Sequence, residues 1–227
     1  MRKGGGKLWF MDSSRRDPES STIEVLTQVK AALASGIFDA VVVSSENAEI
    51  RAVAEKAGAV AFERDPATAS DTASSEAGVL DYIDRTPRCE TLALVQCTSP
   101  LTSAEDFANG WALFVKAGAD SLVTVVRAHK FLWRVDAETG CATPQNYEPK
   151  KRPRRQEWDG EMIENGAFYF FKVAVFRANG NSRLAGKMVA HEMPEETLVE
   201  IDSLTDWKIV ELLAADKFKK DPGAWGF

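Results

Sequence analysis

Short apolar runs alternate with amphipathic segments over the first half of the chain. Residues 39–45 carry a continuous β-branched run and residues 91–96 an apolar run, both typical of strands that are buried on both faces. Residues 23–35 and 47–58 place apolar side chains at helical spacing, and Gly36 is suited to end the first of these helices. Strand and helix in alternation predict right-handed βαβ units. We therefore expect an α/β, Rossmann-like fold, with a mostly parallel sheet and helices on both faces.

The same patterns predict further elements along the chain. They comprise strands at 59–63, 120–126, 166–171 and 187–193, and helices at 74–83, 103–114 and 203–218. Thr102 and Glu105 are expected to form the capping box of the helix that carries Trp111. The elements predict one domain over 22–227, preceded by an irregular lead-in at 1–21. Residues 128–164 break the rhythm with a polar, proline-containing segment, which predicts an excursion from the sheet.

Composition excludes several classes of protein. The hydrophobic fraction of 44% and the charged fraction of 27% are ordinary for a globular protein, and the net charge of −6 argues against a nucleic-acid-coating protein. No apolar run approaches a membrane span, and no signal peptide is visible. Three scattered cysteines and two histidines predict reduced thiols in the cytoplasm or nucleus and no zinc cluster. A metal ion would then bind carboxylates, which favours Mg²⁺.

Candidate site residues follow the predicted strands. In a parallel sheet of this type, ligands bind at the carboxyl ends of the strands. The segments that begin at those ends are 44–49, 64–75, 96–101 and 127–133. These loops are therefore the expected location of the chemistry.

Two short motifs offer groups for a nucleotide or a metal ion. Glu200 and Asp202 lie two apart in a predicted extended segment, so their carboxylates share one side and can hold Mg²⁺. The alternative is that Asp202 or Ser203 caps the helix that follows, while Glu200 is solvated. Gln96 ends an apolar strand, and its amide can donate and accept hydrogen bonds to a base, a ribose or a sugar hydroxyl. The alternative there is ordinary turn chemistry.

Two other segments are also open to more than one interpretation. The hydroxyls at 70–75, including Ser74, can bind a ribose or a phosphate at a helix N-terminus, or can simply cap that helix. Arg64 can pair with an anion or be solvated. The basic run at 150–155 is typical of a nuclear signal, a nucleic-acid patch or a solvated hairpin. It also places Arg155 beside Gln156, a fork for a carboxylate next to an amide.

Four segments, taken together, resemble one enzyme family. LVQCTSPL, KRPRRQEWDGE, IENGAFYFFK and VEIDSLTDW occur in this order and closely resemble the N-acylneuraminate cytidylyltransferases, especially the animal type. The resemblance extends from about Thr22 to Ala215. It implies a nucleotide-diphospho-sugar transferase-like fold, and a homodimer or homotetramer in which the excursion helps to close a neighbouring site. It implies that CTP and N-acylneuraminate, or a related 2-keto acid sugar, give the CMP-sugar and pyrophosphate.

The resemblance also implies roles for residues at matching positions. Arg64, Ser74 and Gln96 would line the cleft for the nucleotide and the sugar. Mg²⁺ would bind Glu200 and Asp202, although the family usually has Asp-Ile-Asp at this position. The residues implied to hold the sugar acid are Gln96, Arg152, Arg155, Gln156, Asn165, Tyr169 and Phe170. The residues implied to act most directly in catalysis are Arg155, Gln156 and Asp202.

The glycine-rich run near the start departs from the family pattern. The family opens with a buried strand and then a glycine-rich loop that cradles the CTP phosphates. Here Lys3, Gly4, Gly5 and Lys7 are the implied phosphate-binding residues, but no strand is predicted before them. Three interpretations stay open: a fragment of a normal synthetase, a divergent active enzyme, or an inactive relative that binds sugar nucleotides and acts through oligomerisation.

Overall fold

A computed structural model describes residues 6–11, 18–70, 72–86 and 89–220. Within these ranges the strands are β1 Gly6–Met11, β2 Phe38–Ser45, β3 Val60–Glu63, β4 Thr91–Gln96, β5 Ser121–Ala128, β6 Trp133–Val135, β7 Ala142–Pro144, β8 Glu161–Lys172 and β9 Met188–Met193. The helices are α1 Pro18–Ser35, α2 Ala48–Lys56, α3 Ser75–Arg85, α4 Ala104–Ala117, α5 Val173–Ala178 and α6 Leu204–Lys220. The strands and helices predicted from the sequence are therefore present, and all except β4 have at least one shifted end.

Seven of the described strands form the main sheet, in the order β3-β2-β1-β4-β8-β5-β9. β1, β2, β3 and β4 pair in parallel, and β9 is parallel to β5. β8 alone among the described strands of this sheet runs antiparallel to its neighbours, which are β4 and β5. The predicted α/β fold with a mostly parallel sheet is confirmed.

The prediction of an irregular segment at the start of the chain is wrong for residues 6–11. These residues form β1, which pairs with β2 on one side and β4 on the other. α1 likewise begins at Pro18, before the predicted domain start at residue 22. The strand was missed because Gly6 and Lys7 are poor strand formers, and because only the five residues Lys7–Met11 are free of glycine. The sheet therefore has a central strand that the sequence pattern did not reveal.

The core has two layers, one on each face of the sheet. The first layer packs α1, α2 and α4 against the sheet and includes Phe107, Phe168 and Phe170. The second packs α3 and α5 against the other face and includes Tyr169 and Phe171. Alternate residues of β8 thus point to opposite faces, as strand geometry requires. This arrangement confirms helices on both faces.

Two of the shifted element ends have clear local reasons. The N-cap of α4 is Ser103 rather than Thr102, and its capping box is completed by Asp106 rather than Glu105. Thr102 instead donates its hydroxyl to the Ser99 carbonyl at 2.9 Å, which tightens the turn before the helix. β8 begins at Glu161, five residues before the predicted start, because its polar first half still pairs with β5.

The predicted excursion leaves the sheet after β5 and returns at β8. β6 and β7 form their own two-stranded sheet. Next to it, the Phe131 ring stacks on Trp158 with centroids 5.0 Å apart and lies 4.6 Å from Tyr147. The side chain of Asn146 closes the segment by donating to the Lys130 carbonyl at 3.0 Å. The excursion therefore has a small aromatic cluster of its own.

Asp120 fastens three chain segments at the amino edge of β5. Its carboxylate accepts hydrogen bonds from Lys172 Nζ at 2.8 Å and from the Lys187 backbone N–H at 2.9 Å. The hydrogen bond from Lys172, followed by that from Lys187, holds the pKa of Asp120 below its ordinary value. Gly186 has a φ of +69°, and a Cβ there would lie 2.6 Å from Asp120 Oδ2, so only glycine fits. The ends of β8 and β9 are therefore registered against β5.

A half-buried histidine makes folding stability pH-dependent. Burial lowers the pKa of His191 in β9 below its ordinary value of 6.5, with Asp106 acting in the opposite direction. The unfolded chain then binds a proton more readily, so the free energy of unfolding is expected to fall as pH drops below about 6.5. His191→Gln should lose stability less steeply than the wild type between about pH 7.5 and 5.5. Denaturant titrations at several pH values measure this slope.

His129→Gln is the matched control, since it removes the other histidine and leaves His191 in place. It should retain the steeper slope. Parallel stability curves for the wild type and His191→Gln would contradict the assignment.

Candidate functional site

The carboxyl ends of the parallel strands meet at one edge of the sheet. Met11 at the end of β1 is in register with Ser44 of β2 and with Gln96 of β4. Because β8 is antiparallel to β4, its first half, and not its last, reaches the same edge. The ends of three parallel strands and the start of β8 therefore surround one location, as the sequence predicted for this fold.

Gln96, Gly166 and Glu200 converge at this edge. Gly166 has a φ of +64°, in the left-handed region that favours glycine. A Cβ on Gly166 would lie 2.7 Å from Gln96 Oε1 and still closer to Glu200 Oε1. The missing side chain therefore lets the amide of Gln96 and the carboxylate of Glu200 approach each other across the strand. Two of the residues predicted separately from the sequence are brought together here.

The segment that carries the two candidate metal ligands is tied to the loop after β4. The Ile201 backbone N–H donates to the Thr98 carbonyl at 2.8 Å, and the Ile201 side chain is buried. Ser203 caps α6, as predicted: its hydroxyl accepts from the Asp206 backbone N–H at 3.2 Å. The cap is thus supplied by Ser203, which is one of the two residues that the structural alternative named.

Arg64 is buried beside the end of β2 and forms hydrogen bonds with it. Its side chain is 2% exposed and donates to the Ser44 carbonyl at 2.5 Å and to the Ser44 hydroxyl at 3.2 Å. Arg51 of α2 donates to the neighbouring Ser45 carbonyl at 2.8 Å. Two guanidinium groups therefore fix the last carbonyls of β2. The solvated alternative for Arg64 is wrong.

Ser74 marks the start of α3 and the rim of a cleft. Its hydroxyl accepts from the Ala77 backbone N–H at 3.2 Å, so it does cap the helix. The cleft beside it measures about 510 Å³. Its lining residues are Ser74, Glu76, Ala77, Leu80, Gly180, Asn181 and Ser182. Capping uses one lone pair of the hydroxyl, and the side chain stays exposed at the cleft.

The predicted sugar-contacting residues of β8 are largely buried. Asn165 donates to the Thr197 hydroxyl at 3.0 Å and is 2% exposed. Phe170 is fully buried among the rings of the first core layer, including Phe38 and Trp111. Because Phe170 faces the layer opposite to Tyr169, the two neighbours do not line one surface. The expectation that both pack around a sugar is therefore wrong for Phe170.

The basic candidates lie on the excursion. Arg155 and Gln156 begin a 3₁₀ turn over Arg155–Glu157, and both are exposed. The guanidinium of Arg152 lies 4.4 Å over the Phe131 ring, so the aromatic cluster orients it. Their substrate roles stay predictions.

The predicted phosphate-binding residues fall partly outside the described residues. Lys3, Gly4 and Gly5 lie outside them. Lys7 lies near the amino end of β1, and the site edge is at the other end, beyond Met11. The prediction that Lys7 belongs to a loop at the site is wrong, because the glycine-rich run precedes the central strand and does not follow it.

The donor set at this edge suits a hard cation. Glu200 and Asp202 supply carboxylate oxygens, the ligands that Mg²⁺ prefers, usually with only one or two of them from the protein. Among the described residues there is no group of three or more histidine, cysteine or carboxylate side chains that could hold a metal ion. A cation here would therefore share its coordination with a ligand and water.

Among the described residues, no helix has the length and apolar character needed to span a bilayer.

Two features of the site were not found from the sequence. The convergence on Gly166 was missed, although a glycine inside an apolar strand pattern signals a bulge or a close approach. The contact of Arg183 with Tyr169 was missed because 14 positions separate them and no short motif contains both. The guanidinium lies 4.4 Å over the ring of Tyr169.

Comparison with known proteins identifies similar sequences. A family model described as Cytidylyltransferase matches residues 25–179. N-acylneuraminate cytidylyltransferase A of Danio rerio is 35% identical over 197 residues, which cover 85% of this chain and 45% of that protein. N-acylneuraminate cytidylyltransferase of Oncorhynchus mykiss is 34% identical, with coverage of 81% and 42%. The chain thus spans less than half the length of these two relatives.

Solved structures show the same fold at low sequence identity. A CMP:2-keto-3-deoxy-manno-octonic acid synthetase complexed with CTP superposes with a TM-score of 0.65 at 12% identity, covering 94% of this chain and 99% of its own. The 4-diphosphocytidyl-2C-methyl-D-erythritol synthase of Anaerococcus prevotii gives a TM-score of 0.62 at 10% identity, covering 93% and 99%. At such identities the likeness supports the fold alone.

Replacing Gly166 tests the convergence. Gly166→Ala combines left-handed backbone strain with a Cβ that displaces Gln96 and Glu200. Gly118→Ala is the matched control, because Gly118 has a φ of +56° and open space around its Cβ position. The control should cost about 1–2 kcal/mol of unfolding free energy from strain, and Gly166→Ala should cost more. Chemical denaturation measures both. Equal losses would mean that no close approach occurs at Gly166.

Proposed function

The chain belongs to the cytidylyltransferase family, and on that premise we propose that it joins CTP to N-acylneuraminate, releasing pyrophosphate. The family resemblance seen in the sequence is confirmed by the family model and by the named relatives. In the proposed reaction the anomeric oxygen of the sugar forms a bond to the α-phosphorus of CTP. The bond from that phosphorus to the bridging oxygen of pyrophosphate breaks, pyrophosphate leaves, and the proton of the sugar hydroxyl passes to water.

One observation carries the proposal: Gln96 and Glu200 meet at Gly166 on the edge where such sheets bind ligands. The Gln96 amide can accept and donate hydrogen bonds to sugar or nucleoside hydroxyls. Glu200 lies beside it and Asp202 follows across the buried Ile201. The uncharged amide suits the hydroxyl groups of the acceptor sugar. The neighbouring carboxylates suit the cation that accompanies the triphosphate.

Glu200 and Asp202 are the residues that we propose to hold Mg²⁺. Such an ion, when bound, neutralises charge on the triphosphate and on the departing pyrophosphate. The chain's own contribution is to fix these carboxylates: the Ile201 backbone is held on the Thr98 carbonyl, and Asp202 donates its N–H to Asp206 Oδ2 at 3.2 Å. Both ligand positions are thus attached to hydrogen-bonded backbone.

The excursion supplies the groups proposed for the sugar carboxylate. Arg155 and Gln156 form an exposed fork beside an amide, and a bidentate guanidinium suits a carboxylate. We propose that these residues act in a homodimer or homotetramer, where the excursion reaches a neighbouring site. The exposure of Trp133 at 51% and Val135 at 63% supports this, because such apolar area is typical of an interface.

The phosphate contacts are not assigned to Lys7, whose strand position is away from the edge. The segment between β1 and α1, residues 12–17, is the counterpart of a phosphate loop by its place in the chain, and it lies outside the described residues. The alternative of a catalytically impaired sugar-nucleotide-binding relative rests on one departure from the family pattern: the glycine-rich run precedes β1, whereas in the family it follows the first strand. Binding of CTP without turnover is the result that would favour it.

The basic run at 150–155 is also suited to a nuclear import signal, since its side chains are mostly exposed. We propose a cytoplasmic or nuclear location. Salt-dependent DNA binding is not expected, because the net charge is −6.

Removing a proposed metal ligand tests the reaction. Asp202→Asn keeps the shape of the side chain and removes its charge, so kcat/KM for pyrophosphate release from CTP and N-acetylneuraminate with Mg²⁺ should fall about 100-fold or more. Raising the Mg²⁺ concentration should recover part of the rate. Glu55→Gln, an exposed carboxylate on α2, should match the wild type. A normal kcat/KM in Asp202→Asn would show that Asp202 is not a metal ligand.

Removing the proposed carboxylate fork tests the sugar site separately. Arg155→Ala should raise KM for N-acetylneuraminate about 30-fold, because a charged hydrogen-bonded pair is lost, and should leave KM for CTP nearly unchanged. Lys150→Ala, which removes an exposed cation of the same excursion, is the control. Initial rates at varied sugar and fixed CTP measure the difference. Equal KM values in the two variants would remove Arg155 from the site.

A further inference from the structure

We propose that Glu164 binds a hydroxyl group of the polyhydroxylated sugar acid, and that Tyr169 and Arg183 are positioning residues that hold its carboxylate in place. The inference rests on the proposed function and adds a determinant of sugar specificity to it. Glu164 lies on β8 just before Asn165 and Gly166, and its side chain is exposed. It lies two residues before Gly166, the position at which Gln96 and Glu200 converge.

The carboxylate of Glu164 is fixed by a buried donor. The Tyr169 hydroxyl donates to Glu164 Oε1 at 2.5 Å, and Tyr169 as a whole is only 2% exposed. Burial, followed by the hydrogen bond to Glu164, raises the pKa of the Tyr169 hydroxyl well above its ordinary value, so the phenol stays protonated and remains a donor. One oxygen of Glu164 is therefore anchored, and the exposed group can present its other oxygen to a ligand.

Arg183 packs over the ring of Tyr169. Its guanidinium lies 4.4 Å over the centre of the Tyr169 ring, a cation–π distance. Its Nη1 pairs with Glu76 Oε1 at 2.6 Å, in the first turn of α3. A chain of contacts thus runs from Glu76 through Arg183 and Tyr169 to Glu164. It links the rim of the 510 Å³ cleft to the site end of β8.

The chemistry of this chain favours a hydroxylated ligand. Carboxylates accept strong hydrogen bonds from hydroxyl groups, and preorganisation lowers the entropy lost on binding. Ser74 and Glu76, both on the cleft, supply further polar groups on the same side of the sheet. A purely structural role for Glu164 would be to accept the hydrogen bond of the buried Tyr169 hydroxyl, and its replacement would then leave KM for the sugar unchanged.

The test compares steady-state kinetics of Glu164→Ala, Tyr169→Phe and the double variant with CTP and N-acetylneuraminate. Glu164→Ala should raise KM for the sugar about tenfold and leave KM for CTP within about twofold, since a charged hydrogen bond to the sugar is lost. Tyr169→Phe should raise the same KM by a smaller factor. Because Tyr169 acts through Glu164, the double variant should match Glu164→Ala alone.

Arg183→Met extends the test to the other positioning residue. It should raise KM for the sugar in the wild-type background and should have no further effect once Glu164 is alanine. Glu90→Ala, an exposed carboxylate at the opposite edge of the sheet, is the control for charge. Thermal melting of every variant shows whether it is folded.

The outcomes separate this inference from the proposed function. Turnover by the wild type with an unchanged sugar KM in folded Glu164→Ala overturns the inference and keeps the function. If the wild type shows no turnover, the proposed function fails, and calorimetric titration with N-acetylneuraminate decides the inference. Sugar binding weakened about tenfold by Glu164→Ala supports it, whereas binding that is equal in both proteins, or absent from the wild type, overturns it.

Discussion

The reversal of β8 within the sheet determines where the candidate site forms. The strand runs antiparallel between two strands that are parallel to each other, and it pairs with both. Its amino-terminal half therefore lies at the edge where the parallel strands end. The second half, by contrast, fills both core layers with alternating aromatic side chains. One strand thus carries site residues at one end and core residues at the other.

The sequence predicted elements well where hydrophobic pattern alone decides them. The strand at Thr91–Gln96 was predicted with its observed ends, since a buried parallel strand is apolar throughout. The pattern failed at β1, which is short and preceded by glycines, and at the polar start of β8, where pairing with β5 overrides composition. The local hydrophobic pattern of a segment does not show which strand it will pair with in the sheet.

Site residues show the same division. Gln96 and the Glu200–Asp202 pair could be proposed from residue type and from position relative to an element, and the structure brings Gln96 and Glu200 together at Gly166. Phe170 was misassigned because a family motif gives order along the chain, whereas the face to which a side chain points depends on strand register. The partnership of Tyr169 with Glu164 crosses the irregularity at Gly166 and is visible only in three dimensions.

The contacts of Asp120 have a consequence for how such a chain can vary. Lys172, the last residue of β8, is held to Asp120 both by its side chain and by its backbone N–H, at 2.8 and 3.0 Å. The register of the strand is therefore set from its far end. Insertions or deletions between β5 and β8 would change the excursion alone, because the register of β8 against β5 is fixed. The segment that reaches away from the sheet can change length and shape while Gly166 keeps its place opposite Gln96.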